Sequence, residues 1–109
     1  MPLPTTRCAI LLFLLALTGA AIGHAEEPVE VAALVQGQPQ EVADLIRRTF
    51  TCWHFSGEEP YDEARKQQIL AALEQNQCHT LSADEARLRE KYRTAPNTIQ
   101  ALDASREWQ

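Results

Sequence analysis

The fold follows from residues 39–53, PQEVADLIRRTFTCW. Apolar side chains recur there at steps of three and four residues, which is the period of one face of an α-helix. The members of this face are Val42, Leu45, Ile46, Thr49, Phe50 and Trp53. Pro39 suits the first turn of a helix because it has no amide hydrogen to donate. The pattern predicts a helix that ends close to Cys52, since the turn-forming Gly57 follows shortly afterwards.

A second helix is predicted from Pro60 to about Gln77. Strong helix formers fill nearly all of residues 63–75, and the acidic residues before them suit a helix start. The expected buried face of this helix comprises Tyr61, Ala64, Ile69, Ala72 and Leu73. No stretch of the chain alternates convincingly between apolar and polar residues, so we expect almost no β-strand.

Two shorter helices are predicted after Cys78. Ser82 and Glu85 have the spacing of a capping box, in which each side chain bonds the backbone amide of the other residue. That helix should end before Pro96, because proline disfavours helical geometry in the residue that precedes it. Asn97 or Thr98 is expected to cap the last helix, whose inward-facing residues are Ile99, Leu102 and Trp108. The sequence therefore predicts an all-α fold of three to four short helices in a small bundle.

The first 25 residues have the layout of a secretory signal peptide that is cleaved. Arg7 precedes the apolar run CAILLFLLALTGAAI (8–22), and small residues lie before a cleavage point after Ala25. The alternative, a membrane anchor, is weaker because a span needs about 20 apolar residues. Residues 26–38 then form a flexible or partly helical N-terminal arm, and residues 39–109 form the small helical domain. We expect a periplasmic or secreted protein that meets the membrane only through the uncleaved signal peptide.

Two cysteines, Cys52 and Cys78, remain after cleavage. In an exported protein this count favours one disulfide, which would stabilise a small fold by roughly 3.5 kcal/mol. In the alternative interpretation both thiolates bind zinc or copper together with His54 and His79. A third possibility is a metal held by His54, His79 and Glu58 beside an intact disulfide. The spacing is not typical of zinc ligands, so the disulfide is preferred and no cofactor is predicted.

The disulfide also restricts the chain between the first two long helices. A helix over residues 60–77 is about 27 Å long, and the eight residues 53–60 reach at most about 29 Å when extended. We therefore expect residues 53–59 to run back along the second helix, with Trp53 and Phe55 buried against it.

The charge of the mature chain restricts its partners. Lys plus Arg falls from 10 to 9 without Arg7 whereas Asp plus Glu stays at 15, so the net charge is −6. A protein with this charge repels phosphate backbones, and we expect no nucleic-acid partner. The acidic side chains Glu58, Glu59, Asp62 and Glu63 could form a carboxylate pair for hydrolysis. Acids at a helix start are the more ordinary explanation, and a domain of this size has little room for a substrate cleft.

A resemblance rests on the segment CWHFSGEEPYD (52–62), together with Cys78 and the run Leu81–Glu85. This part of the chain resembles small exported proteobacterial proteins of unknown function, which carry a His-aromatic-x-Gly-Glu segment before a helix. The resemblance covers roughly residues 50–95 and implies a discrete exported domain, and it implies no particular activity.

The same segment is the candidate interaction surface. Its acids and aromatics are held on a cross-linked turn, which suits recognition of a partner. The surface comprises Trp53, His54, Phe55, Glu58, Glu59, Tyr61 and Asp62. We expect a monomeric, non-enzymatic binding module whose partner is an unknown protein or small molecule. A metal-binding protein and a small carboxylate-dependent hydrolase are the alternatives.

Overall fold

The computed structural model describes residue 2 and residues 26–109, so the predicted signal peptide (1–25) lies outside the described residues except for Pro2. All regular elements of this part are helices, which confirms the all-α fold. The five α-helices are α1 (Val29–Val35), α2 (Gln40–Ser56), α3 (Glu63–Gln75), α4 (Leu81–Lys91) and α5 (Pro96–Ser105). Single 3₁₀ turns follow α3 (Cys78–Thr80) and α5 (Arg106–Trp108). Over the described residues, no helix is both long and apolar enough to span a bilayer.

Helix α2 is the centre of the bundle and contacts each of the other four α-helices. The first two turns of its predicted apolar face are fully buried, because helical periodicity directs these side chains to one side. The core residues of α2 are Val42, Ala43, Leu45 and Ile46. Leu88 of α4 and Ala101 and Leu102 of α5 complete the core from the opposite side.

Helix α1 lies in the segment that was expected to be a flexible or partly helical arm. Val31 and Val35 are buried and belong to the core, because α1 packs on both α2 and α5. Gly37 follows α1 with a φ of 73°, a left-handed conformation that glycine adopts without steric cost. The turn at Gly37 leads the chain directly into α2, so the packed part of the molecule includes α1.

The prediction for residues 53–59 is wrong. Helix α2 does not end near Cys52 but continues through Ser56, and Trp53 is 45% exposed rather than buried. Phe55 is half-buried. Helix α3 has 13 residues and is about 20 Å long, which is shorter than the predicted helix. The shorter helix leaves enough chain to reach the disulfide without an extended return strand, so α2 is free to continue.

Helix α3 buries less than its sequence suggests. Of the five residues on its predicted face only Ile69 is buried, while Ala72 and Leu73 are half-buried and Ala64 is exposed. Tyr61 lies before the helix and is 82% exposed. The expected position of Tyr61 was wrong because α3 begins at Glu63.

The predicted capping box is also wrong. Helix α4 begins at Leu81 directly after the Cys78–Thr80 turn, so Ser82 lies inside the helix. The Thr80 hydroxyl donates to Asp84 at 3.0 Å, whereas Glu85 binds Arg89 and Arg106 instead of a backbone amide. The turn that follows the disulfide provides the helix start that the capping box was expected to provide.

The start of α5 also differs from the prediction. The helix begins at Pro96, with Ala95 as its capping residue, and neither Asn97 nor Thr98 caps it. The buried Thr98 hydroxyl donates to the Gln38 side chain at 2.8 Å and thereby links α5 to the chain before α2.

Candidate functional site

The site is organised by the disulfide between Cys52 and Cys78, which confirms the predicted pairing. Cys52 is buried in the last part of α2, and Cys78 is half-buried in the turn after α3. Their Cα atoms are 5.7 Å apart. The disulfide therefore fixes the C-terminal end of α3 against the side of α2.

Arg48, which lies one helical turn before Cys52, also holds the C-terminal end of α3 against α2. Its guanidinium group donates to the backbone carbonyls of Asn76 at 2.9 Å and Gln77 at 3.0 Å. It also contacts Asp84 at 3.1 Å and the Thr80 hydroxyl at 3.2 Å. The hydrogen bonds from Arg48 and Thr80 hold the pKa of the Asp84 carboxyl below its ordinary value. Arg48 thus joins α2 to the chain on both sides of the Cys78–Thr80 turn.

Gln77 determines the path of the chain between the end of α3 and the Cys78–Thr80 turn. Its φ of 49° and ψ of 46° lie in the left-handed region, where few non-glycine residues are found. This conformation ends α3 and directs the chain into the Cys78–Thr80 turn. The Gln77 carbonyl accepts from both Arg48 and the Thr80 amide, so the surrounding hydrogen bonds hold the unusual backbone in place.

A groove of about 500 Å³ lies beside the disulfide, and we call it the disulfide groove. Both cysteines line it, and Trp53 of α2, Leu73 of α3 and Leu81 of α4 form its walls. The remaining lining residues are Thr49, Ser56, His79, Ser82 and Gln109. Among the described residues, no Asp, Glu, Lys or Arg side chain lines the groove, and its surface is mostly apolar. The disulfide groove can therefore accept an apolar group, with polar contacts at its edges.

Trp53 lies in a row of three aromatic rings. The Phe50 ring centroid is 5.5 Å from that of Trp53, and Trp108 packs edge to face on Phe50 at 5.1 Å. Such tilted and edge-to-face contacts are favourable geometries for aromatic pairs. Phe50 and Trp108 pack against the core, so they support Trp53 from the inner side and leave its other parts accessible.

Trp53 also lines a second concavity, with His54, Gly57 and Glu58. The tryptophan therefore stands between the disulfide groove and this second concavity. The hydrogen bond from the Arg65 guanidinium holds the pKa of the Glu58 carboxyl below its ordinary value, and burial of Glu58 opposes this effect. His54 and Arg65 therefore lie beside the same carboxylate, His54 in the concavity and Arg65 in a direct ion pair.

Arg65 organises the loop between α2 and α3. Its guanidinium group donates to both oxygens of Glu58, at 2.6 and 2.7 Å, and lies 5.9 Å from the centre of the Phe55 ring. Its backbone amide donates to Asp62 at 2.7 Å, which caps the N-terminus of α3. Glu58 and Asp62 are therefore both bound by Arg65, and each has a clear structural role.

The predicted interaction surface divides into three parts. Trp53, His54 and Glu58 meet around the second concavity, and Phe55 lies under Arg65. Tyr61 and Glu59 are exposed outside these two groups. The sequence pattern did not assign Leu73, Leu81 or Arg48 to a functional site, although it placed Leu73 on the buried face of the second helix. The only local signal was for Arg48, which lies four residues before Cys52 and so on the same side of α2.

The residues of the metal and hydrolase alternatives are placed as follows. The cysteine sulfurs are bonded to each other and are not thiolates. His79 lines the disulfide groove, whereas His54 lines the second concavity with Glu58. Within residues 26–109, no three His, Cys, Asp or Glu side chains form a group that could hold a metal ion. The acidic side chains Glu59 and Glu63 are exposed.

The fold and the groove together define a small all-α protein, cross-linked by one disulfide, with a half-exposed tryptophan at its main concavity. No family model, curated protein or solved structure matches the chain.

Proposed function

We propose that the mature protein is a non-enzymatic binding module that acts outside the cytoplasm. The observation that carries this proposal is the position of Trp53. It is a large aromatic side chain, 45% exposed, between two concavities and beside a disulfide. Tryptophan is enriched among the few residues that carry most of the binding energy at protein interfaces. The binding surface is the disulfide groove together with the second concavity.

The walls of the groove are held in place before any partner binds. The disulfide and Arg48 fix α3 and the start of α4 on α2, while Phe50, which itself packs on Trp108, supports the Trp53 ring. A preformed surface loses little conformational entropy on binding, so more of the contact energy remains as affinity. This rigidity favours recognition of a partner by the surface as it stands in the free protein.

The cellular location belongs to the same proposal. A disulfide that cross-links a small domain is typical of proteins in oxidising compartments. The predicted cleaved signal peptide would bring the chain to the periplasm or to the exterior. We propose that the protein acts there as a monomer, on a protein or small-molecule partner and not on nucleic acid.

The lack of a catalytic role is proposed from the state of the carboxylates. General acid–base catalysis needs a group that is free to exchange a proton at the reacting atom. Glu58 is bound through both oxygens by the Arg65 guanidinium, and Asp62 accepts from the Arg65 amide. Arg65 therefore binds both carboxylates, through its guanidinium group and its backbone amide, and these bonds support a structural role for them.

The test uses Nile red, a neutral apolar dye that fluoresces when it enters an apolar site. Titration into the oxidised protein should give saturable fluorescence at one site. The Trp53→Ala variant should weaken dye binding by about tenfold or more, because it removes the central wall of the groove. The matched control is Tyr61→Ala, which removes an exposed aromatic side chain that does not line the groove.

The control should bind the dye like the wild-type protein. Trp53 is half-exposed, so the Trp53→Ala variant should fold, and circular dichroism checks this. Absence of saturable binding to the wild-type protein, or equal binding by both variants, would contradict the proposed site.

A further inference from the structure

We propose that the site binds a cationic, amphipathic peptide segment. An apolar side chain of the segment enters the disulfide groove beside Trp53, and lysine or arginine side chains lie against the loop between α2 and α3. This inference rests on the proposed function because it uses the same groove. It adds to that proposal the chemical class of the partner.

The first argument is the charge of the loop, residues 57–63 (GEEPYDE), which we call the acidic loop. It contains four acidic residues and no basic one. Arg65 is the nearest base along the chain beyond the loop and pairs with Glu58. Glu59, Asp62 and Glu63 have no ion-pair partner among the described residues and are exposed. The acidic loop therefore presents net negative charge to a partner, chiefly through Glu59 and Glu63, because Asp62 also caps the N-terminus of α3.

The second argument is the position of Tyr61 in the middle of this loop. Its side chain is 82% exposed, so the ring is open to a partner. The face of an aromatic ring attracts ammonium and guanidinium groups, and nearby carboxylates strengthen that preference. An exposed tyrosine between acidic residues suits a lysine or arginine side chain far better than an apolar or anionic one.

The third argument is that the apolar and acidic parts are continuous. Trp53 lines both the mostly apolar disulfide groove and the second concavity, and Glu58 lines the second concavity as the first acidic residue of the loop. The loop begins four residues after Trp53, which is about 6 Å along the axis of α2. An extended segment of about six residues spans about 20 Å, so one peptide can place an apolar anchor in the groove and a cation on the loop.

The same charges argue against other occupants. A neutral apolar ligand would fill the groove but leave the acidic loop and Tyr61 without contacts. Anionic surfaces, such as membranes with acidic lipids, are repelled by a mature chain of net charge −6. A cationic peptide segment satisfies both parts of the site at once.

The experiment compares three synthetic peptides of about eight residues, each with blocked ends and a central Leu-Phe pair. The flanking residues are Lys in the first peptide, Gln in the second and Glu in the third. Calorimetric titration into the oxidised protein should show that the lysine peptide binds about tenfold more tightly than the glutamine peptide, and the glutamate peptide most weakly. Raising the salt from about 50 mM to about 500 mM should remove most of the difference, because exposed charges are screened.

Two double variants test whether the charge of the acidic loop causes the preference for the lysine peptide. The double variant Glu59→Gln/Glu63→Gln should reduce the preference for the lysine peptide about fivefold. The matched control Glu30→Gln/Glu90→Gln changes the net charge equally, on exposed residues of α1 and α4, and should keep the preference. The exposed Glu90–Arg93 pair that the control breaks contributes little to stability.

The outcomes separate this inference from the proposed function. Saturable Nile red binding with equal affinity for the lysine and glutamine peptides overturns the cationic partner and keeps the binding site. An equal effect of both double variants also overturns it, because the preference would then follow from the overall charge. Absence of both dye and peptide binding overturns the proposed function itself.

Discussion

Arg48 contacts four groups of the chain around the Cys78–Thr80 turn. Two of them are the backbone carbonyls of Asn76 and Gln77, which follow the last residue of α3 and have no partner within that helix. A guanidinium group presents several donors in one plane and reaches these carbonyls and Asp84 together. A lysine ammonium is a compact point charge and does not reproduce this arrangement.

Replacement of Arg48 should therefore destabilise the fold beyond the loss of one surface charge. We expect Arg48→Ala to lower the free energy of unfolding by about 2 kcal/mol, because hydrogen bonds to a charged group are lost and half-buried acceptors remain. Arg48→Lys should recover less than half of that loss. Urea denaturation of the oxidised protein measures both. Arg93→Ala, on an exposed pair with Glu90, is the control and should change stability by less than about 0.5 kcal/mol. Equal stability of Arg48→Lys and the wild-type protein would contradict this role.

Glu41 makes stability depend on pH. Its carboxylate accepts from the Tyr92 hydroxyl at 2.6 Å and from the Lys91 ammonium, and so joins the start of α2 to the end of α4. These hydrogen bonds hold the pKa of Glu41 below its ordinary value of 4.5. A lowered carboxyl pKa in the folded state contributes stability above the ordinary value, and this contribution is lost as the pH falls through the folded-state value.

The corresponding variant is Glu41→Gln, which has no ionisable carboxyl group. At pH 7 it should have a lower melting temperature than the wild-type protein, and the difference should shrink as the pH falls below 4.5. Thermal denaturation at a series of pH values measures the difference. Glu30→Gln, on the exposed face of α1, should give curves parallel to those of the wild-type protein. A difference that stays constant down to pH 3 would contradict the assigned contribution of Glu41.

At the scale of elements, α3 buries little of its own surface in the bundle. It contacts α2 and the Cys78–Thr80 turn, and Ile69 is its one buried residue. Its attachment therefore depends on the disulfide at one end and on the pair between Arg65 and Glu58 at the other. The α1–α2–α4–α5 part, in contrast, shares a continuous apolar core.

When the disulfide is removed, α3 should detach from the bundle before the rest of the molecule unfolds. The Cys52→Ser/Cys78→Ser variant should lose about 3.5 kcal/mol, the chain-entropy value for a loop of this length. Hydrogen exchange measured by mass spectrometry should show α3 amides losing protection first, while those of α2 and α5 keep most of it. A uniform loss of protection over all helices would show that α3 and the core unfold as one unit.

The helices differ in how far the sequence predicts them, and the cause lies in where their contacts come from. The face of α2 from Val42 to Thr49 is predicted because its own periodicity determines which side is buried. The end of α2 is not, because Phe55 and Glu58 are positioned by Arg65 of the next helix. The start of α4 was missed for a similar reason, since it depends on the turn after the disulfide.

The candidate site shows the same division. Trp53 was predicted as part of the interaction surface from the composition of its own segment. The disulfide groove was not, because its walls also need Leu73 and Leu81, which are brought to Trp53 only by the packing of α3 and α4. A local pattern shows which residues are available for recognition, whereas the shape of the site follows from contacts between distant segments.

At the scale of the whole molecule, the disulfide connects stability to the compartment. A small domain obtains only about 3–5 kcal/mol from a single apolar core, so a disulfide contributes a large share of its stability. The folded protein should therefore accumulate where thiols are oxidised. In a reducing compartment, α3 and the groove wall at Leu73 would lack the covalent link and would be held by Arg48, by the burial of Ile69 and by the Arg65–Glu58 pair.

Intact mass spectrometry of protein recovered from the exported fraction tests this relation. We expect a chain that begins at Glu26 and is two hydrogens lighter than the reduced sequence, because the signal peptide is removed and Cys52 and Cys78 are bonded. A thiol-alkylating reagent should add nothing before reduction and two groups after it. The Cys52→Ser variant is the control and should accept one group without reduction. A chain that keeps residues 1–25 would contradict the predicted cleavage. A reduced chain that carries one zinc or copper ion would replace the disulfide with a metal site at Cys52, His54, Cys78 and His79.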